Sequence, residues 1–183
     1  MNYPTDKFAN KLIPEYERIF AELKNKELKI LEVGILNGGF LMWLADYFKK
    51  AEIIGVDITM PKNKDEILKY SDRISIDSVD QRDESSLKNI GKIYGFFDII
   101  IDDGCHQRAE TAKTFDNLWP FLKLGGIYII EDFIAGYWQQ PIYTGIERVV
   151  TAIMETKNDY KISDYEIILK EPKCSIAAFK KYA

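Results

Sequence analysis

The sequence predicts one α/β domain spanning residues 1–183, a doubly wound sheet that is mostly parallel with an antiparallel C-terminal strand. Short apolar runs alternate with segments of helical length, which is the pattern of βαβ units. Most of these runs are continuous rather than alternating in apolarity, which is typical of parallel strands buried on both faces. A short turn joins the last two runs, and connections of that length join antiparallel strands. A chain of this length fits a single hydrophobic core.

The predicted elements follow in order along the chain. An amphipathic helix over Thr5–Leu23 comes first, because apolar residues recur there at helical spacing. The seven predicted strands lie in LKILEVG, AEIIGVDI, RISID, FFDIIID, GGIYIIED, DYEIILK and CSIAAFKKY. The helices between them lie in FLMWLADYF, DEILKY, ESSLKNIGKI, RAETAKTFDNLWPFL and GIERVVTAIMETK. A Leu-Gly-Gly sequence is predicted to end the fourth of these helices, and EPK is the turn between the last two strands.

Composition excludes several classes of partner. The net charge of -4 and a pI near 5.2 give no overall basic field, so nucleic acid is disfavoured as a partner. The two cysteines, Cys105 and Cys174, are too few for a disulfide framework, and no leader sequence is apparent, so we expect a cytoplasmic protein. Its apolar runs are far shorter than the roughly 20 residues that span a bilayer, so we expect no membrane partner.

A glycine-rich turn follows the first predicted strand. In LEVGILNGG, Gly34 and Gly38 leave space for a ligand beside the backbone, but Leu36 replaces the second glycine of the dinucleotide fingerprint. Glu32 suits a ligand that carries an ammonium or sulfonium group. Asp57 ends the second strand, where a carboxylate can accept hydrogen bonds from ribose hydroxyls. The alternative is a tight turn with Asp57 as a cap.

Acidic residues follow two neighbouring strands. Asp102, Asp103 and His106 come after the fourth strand, and Glu131 and Asp132 end the fifth. Because the carboxyl ends of parallel strands face one crevice, these groups should converge, and a hard cation such as Mg²⁺ would offset their repulsion. The only histidine is then a candidate general base. The alternative is that the carboxylates cap helices and the histidine is structural.

These motifs resemble a known family. The segments TDK, YERIF, LEVGILNGGFLMWLADYF, IIGVDI, DIIIDDGCH and GGIYIIEDFIAGYW are similar to the class I S-adenosylmethionine-dependent methyltransferases, with their Rossmann-like sheet. Within these, the sequence resembles the metal-dependent sugar O-methyltransferases of the macrocin and mycinamicin type. The resemblance implies a cofactor site for S-adenosylmethionine, a Mg²⁺ site and a catalytic base. The residues implied for the cofactor site are Glu32, Gly34, Gly38, Asp57, Asp77 and Ser78. Those implied for the Mg²⁺ site are Asp103, Glu131 and Asp132, and the implied catalytic base is His106.

The function expected from the resemblance is Mg²⁺-dependent methylation of a hydroxyl on a small molecule, such as a sugar or natural product. A catechol-type O-methyltransferase is the nearest alternative, but its base is usually a lysine, so His106 favours the sugar type. A non-catalytic S-adenosylmethionine-binding module is another alternative, and Leu36 disfavours an NAD-dependent enzyme. Cys105 stands where serine is usual, and the short segment Gln139–Ile146 departs from relatives with large substrates. Whether that segment is a lid, and whether the chain forms a homo-oligomer, is left open.

Overall fold

A computed structural model describes residues 3–134, 145–170 and 174–182. Its seven strands are β1 (Lys29–Val33), β2 (Glu52–Asp57), β3 (Ile74–Ser78), β4 (Phe97–Asp102), β5 (Leu122–Glu131), β6 (Ile162–Lys170) and β7 (Cys174–Lys181). Its helices are α1 (Ile13–Ile19), α2 (Gly39–Tyr47), α3 (Lys64–Tyr70), α4 (Glu84–Tyr94), α5 (Arg108–Leu118) and α6 (Ile146–Glu155). Short 3-10 turns follow α1 and α5, at Ala21–Leu23 and Trp119–Phe121.

The strands form one sheet in the order β3-β2-β1-β4-β5-β7-β6. The first five strands pair in parallel, whereas β7 runs antiparallel to both β5 and β6. The prediction of a mostly parallel sheet with an antiparallel C-terminal strand is therefore confirmed. The EPK turn, residues 171–173, and positions 139–144 lie outside the described residues. The carboxyl ends of β1, β4 and β5 meet at one edge of the sheet.

Two apolar cores cover the two faces of the sheet. One joins α1, α2 and α3 to the sheet and contains a run of aromatic contacts, in which the Tyr16 ring lies 4.7 Å from that of Phe40. The other joins α4, α5 and α6 to the opposite face, with Phe115 and Tyr128 in edge contact. Since α2 is buried almost throughout, its sequence is apolar nearly all round. Within the described ranges, every helix is too short or too polar to cross a membrane.

The predicted helix over Thr5–Leu23 is wrong at its start. Residues 6–11 form turns, and α1 begins only at Ile13. Pro14 explains the boundary, because proline has no backbone N–H and fits only the first turn of a helix. Lys11 has a φ of 57°, which ends the preceding turn. The helical spacing of apolar residues is present, but it runs through a turn, a short helix and a 3-10 turn rather than through one helix.

The predicted Leu-Gly-Gly helix stop is also wrong. The helix α5 ends at Leu118, and β5 already begins at Leu122, so Gly125 and Gly126 lie within the strand. Pro120 in the intervening 3-10 turn supplies the break, because its ring prevents an α-helix from continuing.

Candidate active site

A cavity of about 530 Å³ opens at the edge where the carboxyl ends of the parallel strands meet. Its lining includes residues that follow β1, β2, β4 and β5, together with Lys7 from the N-terminal turn. Open α/β sheets bind ligands at this edge, and the volume lies within the range of small-molecule sites. The cavity is therefore the candidate active site.

The turn after β1 is held by close backbone packing. Gly34 has a φ of 87° and donates its N–H to the carbonyl of Val56 at 2.8 Å. A Cβ at this position would overlap the carbonyl oxygen of Asp103 and lie 2.7 Å from the Cα of Gly104. Glycine is required here because the turn after β1 touches the turn after β4.

Asp57 lines the cavity and also fastens the glycine turn. Its Oδ2 accepts hydrogen bonds from the backbone N–H groups of Ile35 and Leu36 at 2.9 and 3.1 Å. Its Oδ1 accepts from the N–H of Thr59 at 2.9 Å. Both the predicted position beside a ligand and the alternative role as a cap are compatible with this arrangement.

Glu32 lies beneath the cavity rather than on its wall. The lining includes the next residues, Val33 and Gly34, but not Glu32, which is 2% exposed. Its Oε2 has no hydrogen-bond partner among the described residues. Burial raises the pKa of Glu32 well above its usual range, and the positive charge of Lys7 acts in the opposite direction. Its predicted contact with a cofactor stays a prediction.

Three other predicted cofactor residues are absent from the described lining. Gly38 precedes α2 with a φ of 67°. Asp77 accepts a hydrogen bond from the Tyr94 hydroxyl at 2.6 Å, and Ser78 ends β3 on the surface. Residues 79–81, immediately beyond β3, line the cavity instead. The roles of Gly38, Asp77 and Ser78 as cofactor contacts stay predictions.

Three residues from the ends of β4 and β5 come together in the cavity. Asp103, His106 and Asp132 each offer a ligand atom, and these atoms lie within 4.8 Å of one another. His106 Nε2 lies 3.6 Å from Asp103 Oδ1. Asp132 Oδ1 is buried without a hydrogen-bond partner among the described residues. An orphaned carboxylate oxygen beside a second carboxylate and an imidazole fits a divalent cation.

The backbone at this cluster is strained. His106 and Asp132 have φ values of 53° and 50°, in the left-handed region that non-glycine residues seldom adopt. The Asp132 N–H donates to the Ser175 carbonyl on β7 at 2.8 Å. This bond holds Asp132 at the cavity in an otherwise unfavourable backbone conformation.

Lys7 and Tyr16 surround Glu131, the third predicted metal ligand. The Lys7 ammonium lies 2.7 and 2.8 Å from the two oxygens of Glu131 and 2.5 Å from Asp103 Oδ2. Tyr16 also donates its hydroxyl hydrogen to Glu131 Oε1, and Lys7 Nζ lies 4.8 Å from the centre of the Phe40 ring. Glu131 is therefore directed towards the N-terminal segment.

Burial is the first cause of the pKa shifts of these groups, and nearby charges modify them. Burial, followed by repulsion from Asp103 and Glu131, raises the pKa of Asp132 to about 7. Burial also raises the pKa of Glu131, and Lys7 and Tyr16 oppose the increase. Burial lowers the pKa of His106, so its imidazole is neutral at pH 7 and can accept a proton.

Sequence reasoning missed Lys7, Tyr16 and Gln81. The amide of Gln81 donates to Asp102 Oδ1 at 3.0 Å and to Thr114 at 2.9 Å, and its oxygen accepts from the Cys105 N–H at 2.9 Å. It thereby holds the loop that carries His106. Lys7 and Tyr16 lie in the TDK and YERIF segments that resemble the family, but the resemblance assigned neither residue a role. Tyr16 also lies on the apolar stripe, which indicated core, and a lone glutamine has no spacing signature.

A doubly wound sheet with an acidic, histidine-containing cavity at the carboxyl ends of β4 and β5 defines the class of protein as an α/β domain with a candidate small-molecule site. Residues 31–133 match the family described as a methyltransferase domain, and the chain belongs to this family. The resemblance inferred from the motifs is thereby confirmed.

Several curated relatives are O-methyltransferases by name. The chain is 35% identical to mycinamicin VI 2''-O-methyltransferase of Micromonospora griseorubida, over 72% of this chain and 33% of that protein. It is 36% identical to demethylmacrocin O-methyltransferase of Streptomyces fradiae, over 68% of this chain and 32% of that protein. The chain thus spans about one third of the length of these relatives.

A solved structure resembles most of the chain. The MycE methyltransferase of the mycinamycin biosynthetic pathway, in complex with Mg, SAH and mycinamycin VI, superposes with a TM-score of 0.78 at 26% identity. The match covers 92% of this chain and 48% of that one.

Proposed function

We propose that the chain is an S-adenosylmethionine-dependent, Mg²⁺-dependent O-methyltransferase that acts on a hydroxyl of a sugar or another small natural product. The observation that carries the proposal is the convergence of Asp103, His106 and Asp132 in a cavity at the carboxyl edge of a methyltransferase-family sheet. The names of two relatives, which give mycinamicin VI and a rhamnosyl tetracenomycin as the methylated compounds, support this acceptor class.

Each site residue has a role in this proposal. Asp103 and Asp132 hold Mg²⁺, which when bound would act as a Lewis acid on the acceptor hydroxyl. His106, neutral at pH 7, removes the proton from that hydroxyl. Gly34 and Asp57 border the part of the cavity proposed for S-adenosylmethionine, which supplies a sulfonium methyl group to a nucleophilic oxygen. Glu131 as a third ligand and Glu32, Gly38, Asp77 and Ser78 as cofactor contacts stay predictions.

Neighbouring residues also position Asp103, which follows β4, for this chemistry. Gln81 fixes Asp102 and the Cys105 N–H, so the intervening Asp103 and the following His106 are held in one geometry. Such fixed positioning of the base and the acceptor supplies much of the rate of a transfer between two bound reactants. The partner is a small hydroxylated molecule, and a cytoplasmic location agrees with the cysteine content.

The test has two parts with separate readouts. Calorimetry should detect binding of S-adenosylmethionine and its demethylated product but not of NAD. A screen with methyl-labelled donor against glycosides, catechols and polyketide alcohols should then label a sugar hydroxyl, with loss of transfer in chelator and recovery with Mg²⁺. Tighter binding of NAD, or full transfer in chelator, would contradict the proposal. Cofactor binding without transfer to any acceptor would instead indicate a non-catalytic module.

A further inference from the structure

The strand β6 forms one end of the sheet, and among the described residues its outer edge pairs with no other strand. From Asp164 to Lys170 its register with β7 is continuous, because the one irregularity lies before Asp164. This stretch contains no proline, and its single lysine is the last residue. Open strand edges are templates for a further strand unless proline, a bulge or inward-pointing charge blocks them. The outer edge of β6 is therefore available for strand addition.

One face of β6 carries an exposed apolar stripe. Side chains alternate between the two faces of a strand, so Tyr165, Ile167 and Leu169 share a face. They are 39%, 38% and 63% exposed. Across the pairing with β7, the same face continues into Ala177 and Phe179, which belong to the core under α4, α5 and α6. The stripe thus extends that core to the outer edge of the sheet.

The opposite face of β6 is charged. Glu166 accepts from two guanidinium nitrogens of Arg18 at 2.6 and 3.2 Å, so its charge is neutralised within the chain. Lys170 Nζ lies 2.5 Å from Glu15 Oε1. Asp164 is exposed and forms no ion pair within the described part of the chain. The stretch therefore begins with a free negative charge and ends with a positive one.

We infer that β6 is a self-association surface, which pairs antiparallel with β6 of a second copy of this chain about a two-fold axis at Ile167. This register sets Asp164 opposite Lys170 of the partner subunit at both ends of the pairing. Tyr165 then lies opposite Leu169 of the partner subunit, and the two Ile167 side chains meet at the axis. A second copy is the fitting occupant because the reversed strand complements β6 both in charge and in apolar contact.

Other registers lack this match. An axis at Glu166 would set two glutamates directly opposite each other, and like charges in that position destabilise a sheet. An axis at Ile168 would set Lys170 opposite Glu166, which Arg18 already neutralises, and would leave Asp164 without a cation. The inferred register is the one that satisfies the free charge of Asp164.

The inferred interface is separate from the proposed active site. Among the described residues, none from β6 or β7 lines the cavity. Both cavities therefore stay open when two chains pair, and the inference holds whether or not the chain transfers a methyl group. One strand from each subunit makes a small interface, so we expect a dissociation constant of roughly micromolar magnitude.

Sedimentation equilibrium of the full chain, over a concentration series through the micromolar range, tests the surface. The wild-type mass should rise with concentration from 21.2 kDa towards twice that value. Ile167→Lys sets two ammonium groups against each other at the axis and should raise the dissociation constant by about tenfold or more. Ile93→Lys, at an isoleucine of α4 that is 68% exposed, is the matched control and should dimerise like the wild type. A monomeric wild type, or normal dimerisation of Ile167→Lys, would overturn the inference.

Charge reversal tests the register. Asp164→Lys alone and Lys170→Asp alone each set like charges opposite each other at both ends, so each variant should dimerise about tenfold more weakly than the wild type. An equimolar mixture of the two variants brings opposite charges together at both ends and should associate like the wild type. If the mixture associates no more tightly than either variant alone, the inferred pairing is overturned.

The mixture also decides alone if Ile167→Lys does not fold, because Asp164 is exposed and the Lys170 side chain is 33% exposed. Urea unfolding of each variant checks that the folds are comparable. Amide hydrogen exchange identifies any other occupant of the edge. Protected outward-facing β6 amides in a monomeric wild type would show that another part of the chain covers this edge, which would overturn the inference.

Discussion

Gly34→Ala should destabilise the protein more than substitution by alanine at any other glycine with a positive φ. The wild-type φ of 87° is unfavourable for alanine, which costs about 1–3 kcal/mol. The added Cβ would also lie 2.7 Å from the Cα of Gly104 and overlap the Asp103 carbonyl, both of which are backbone atoms that cannot rotate away. Overpacking of this kind costs a further ~1–3 kcal/mol. The free energy of unfolding should therefore fall by about 2–6 kcal/mol.

Two matched controls separate the two contributions. Gly95 and Gly125 have φ values of 79° and 77°, and a Cβ at either position meets nothing within 4 Å. Substitution of either by alanine should thus cost only the backbone strain. Urea unfolding of the three variants measures the difference, which we expect to be ~1–3 kcal/mol larger for Gly34→Ala.

The same substitution should weaken Mn²⁺ binding, because relief of the overlap moves the backbone that carries Asp103. The variants at Gly95 and Gly125 should bind Mn²⁺ like the wild type. If Gly34→Ala were no more destabilising than the controls, the close packing of the β1 and β4 turns would not limit the structure of this site, and the reasoning would be refuted.

His106→Gln should lower the methyl-transfer rate by about a hundred- to ten-thousand-fold, because glutamine keeps polarity but cannot take the proton, with little change in cofactor affinity. Wild-type single-turnover rates in that variant would assign proton removal elsewhere. Asp46 gives a pH prediction: hydrogen bonds from Tyr3 and Tyr70 lower its pKa to about 2. A depressed folded-state pKa stabilises the fold above about pH 4, and this is lost as the pH falls towards 2. After allowance for partial exposure, the contribution of the Asp46 carboxylate to the free energy of unfolding is ~1–2 kcal/mol. Asp46→Asn should therefore reduce stability at pH 6 but not at pH 2, as measured by urea unfolding. Equal effects at both pH values would contradict this.

The sheet could be predicted because its signal is local and repeated. β1 is an apolar run followed by a glycine, and β4 is an apolar run that ends in a carboxylate. The order of such elements limits the topology to few choices. The start of α1 could not be predicted from periodicity, since residues 6–11 continue the apolar spacing while forming turns. Only Pro14 indicated where α1 starts, because proline is tolerated within the first turn of a helix but not in its interior.

The candidate site was predictable in part for a related reason. Strand ends brought Asp103 and Asp132 to one crevice, because parallel strands share an edge. Lys7 and Tyr16 reach the same place from more than 80 residues away in sequence, through the packing of the N-terminal segment. No spacing rule connects residues that meet only through tertiary contacts. For the same reason the contact between Glu131 and Lys7 could not be read from the motif.

The distribution of backbone strain links the fold to the site. Among the described residues, five non-glycine positions have positive φ, and three of them, Leu36, His106 and Asp132, line the cavity. Each such position costs about 1–3 kcal/mol, which only a well-packed surrounding structure can sustain. That support comes from specific bonds: Asp57 accepts from the Leu36 N–H, and Ser175 accepts from the Asp132 N–H. Substitutions that remove these acceptors should therefore relax the cavity wall before they unfold the sheet, because the strained turns are held by few contacts while the strands are held by two complete cores.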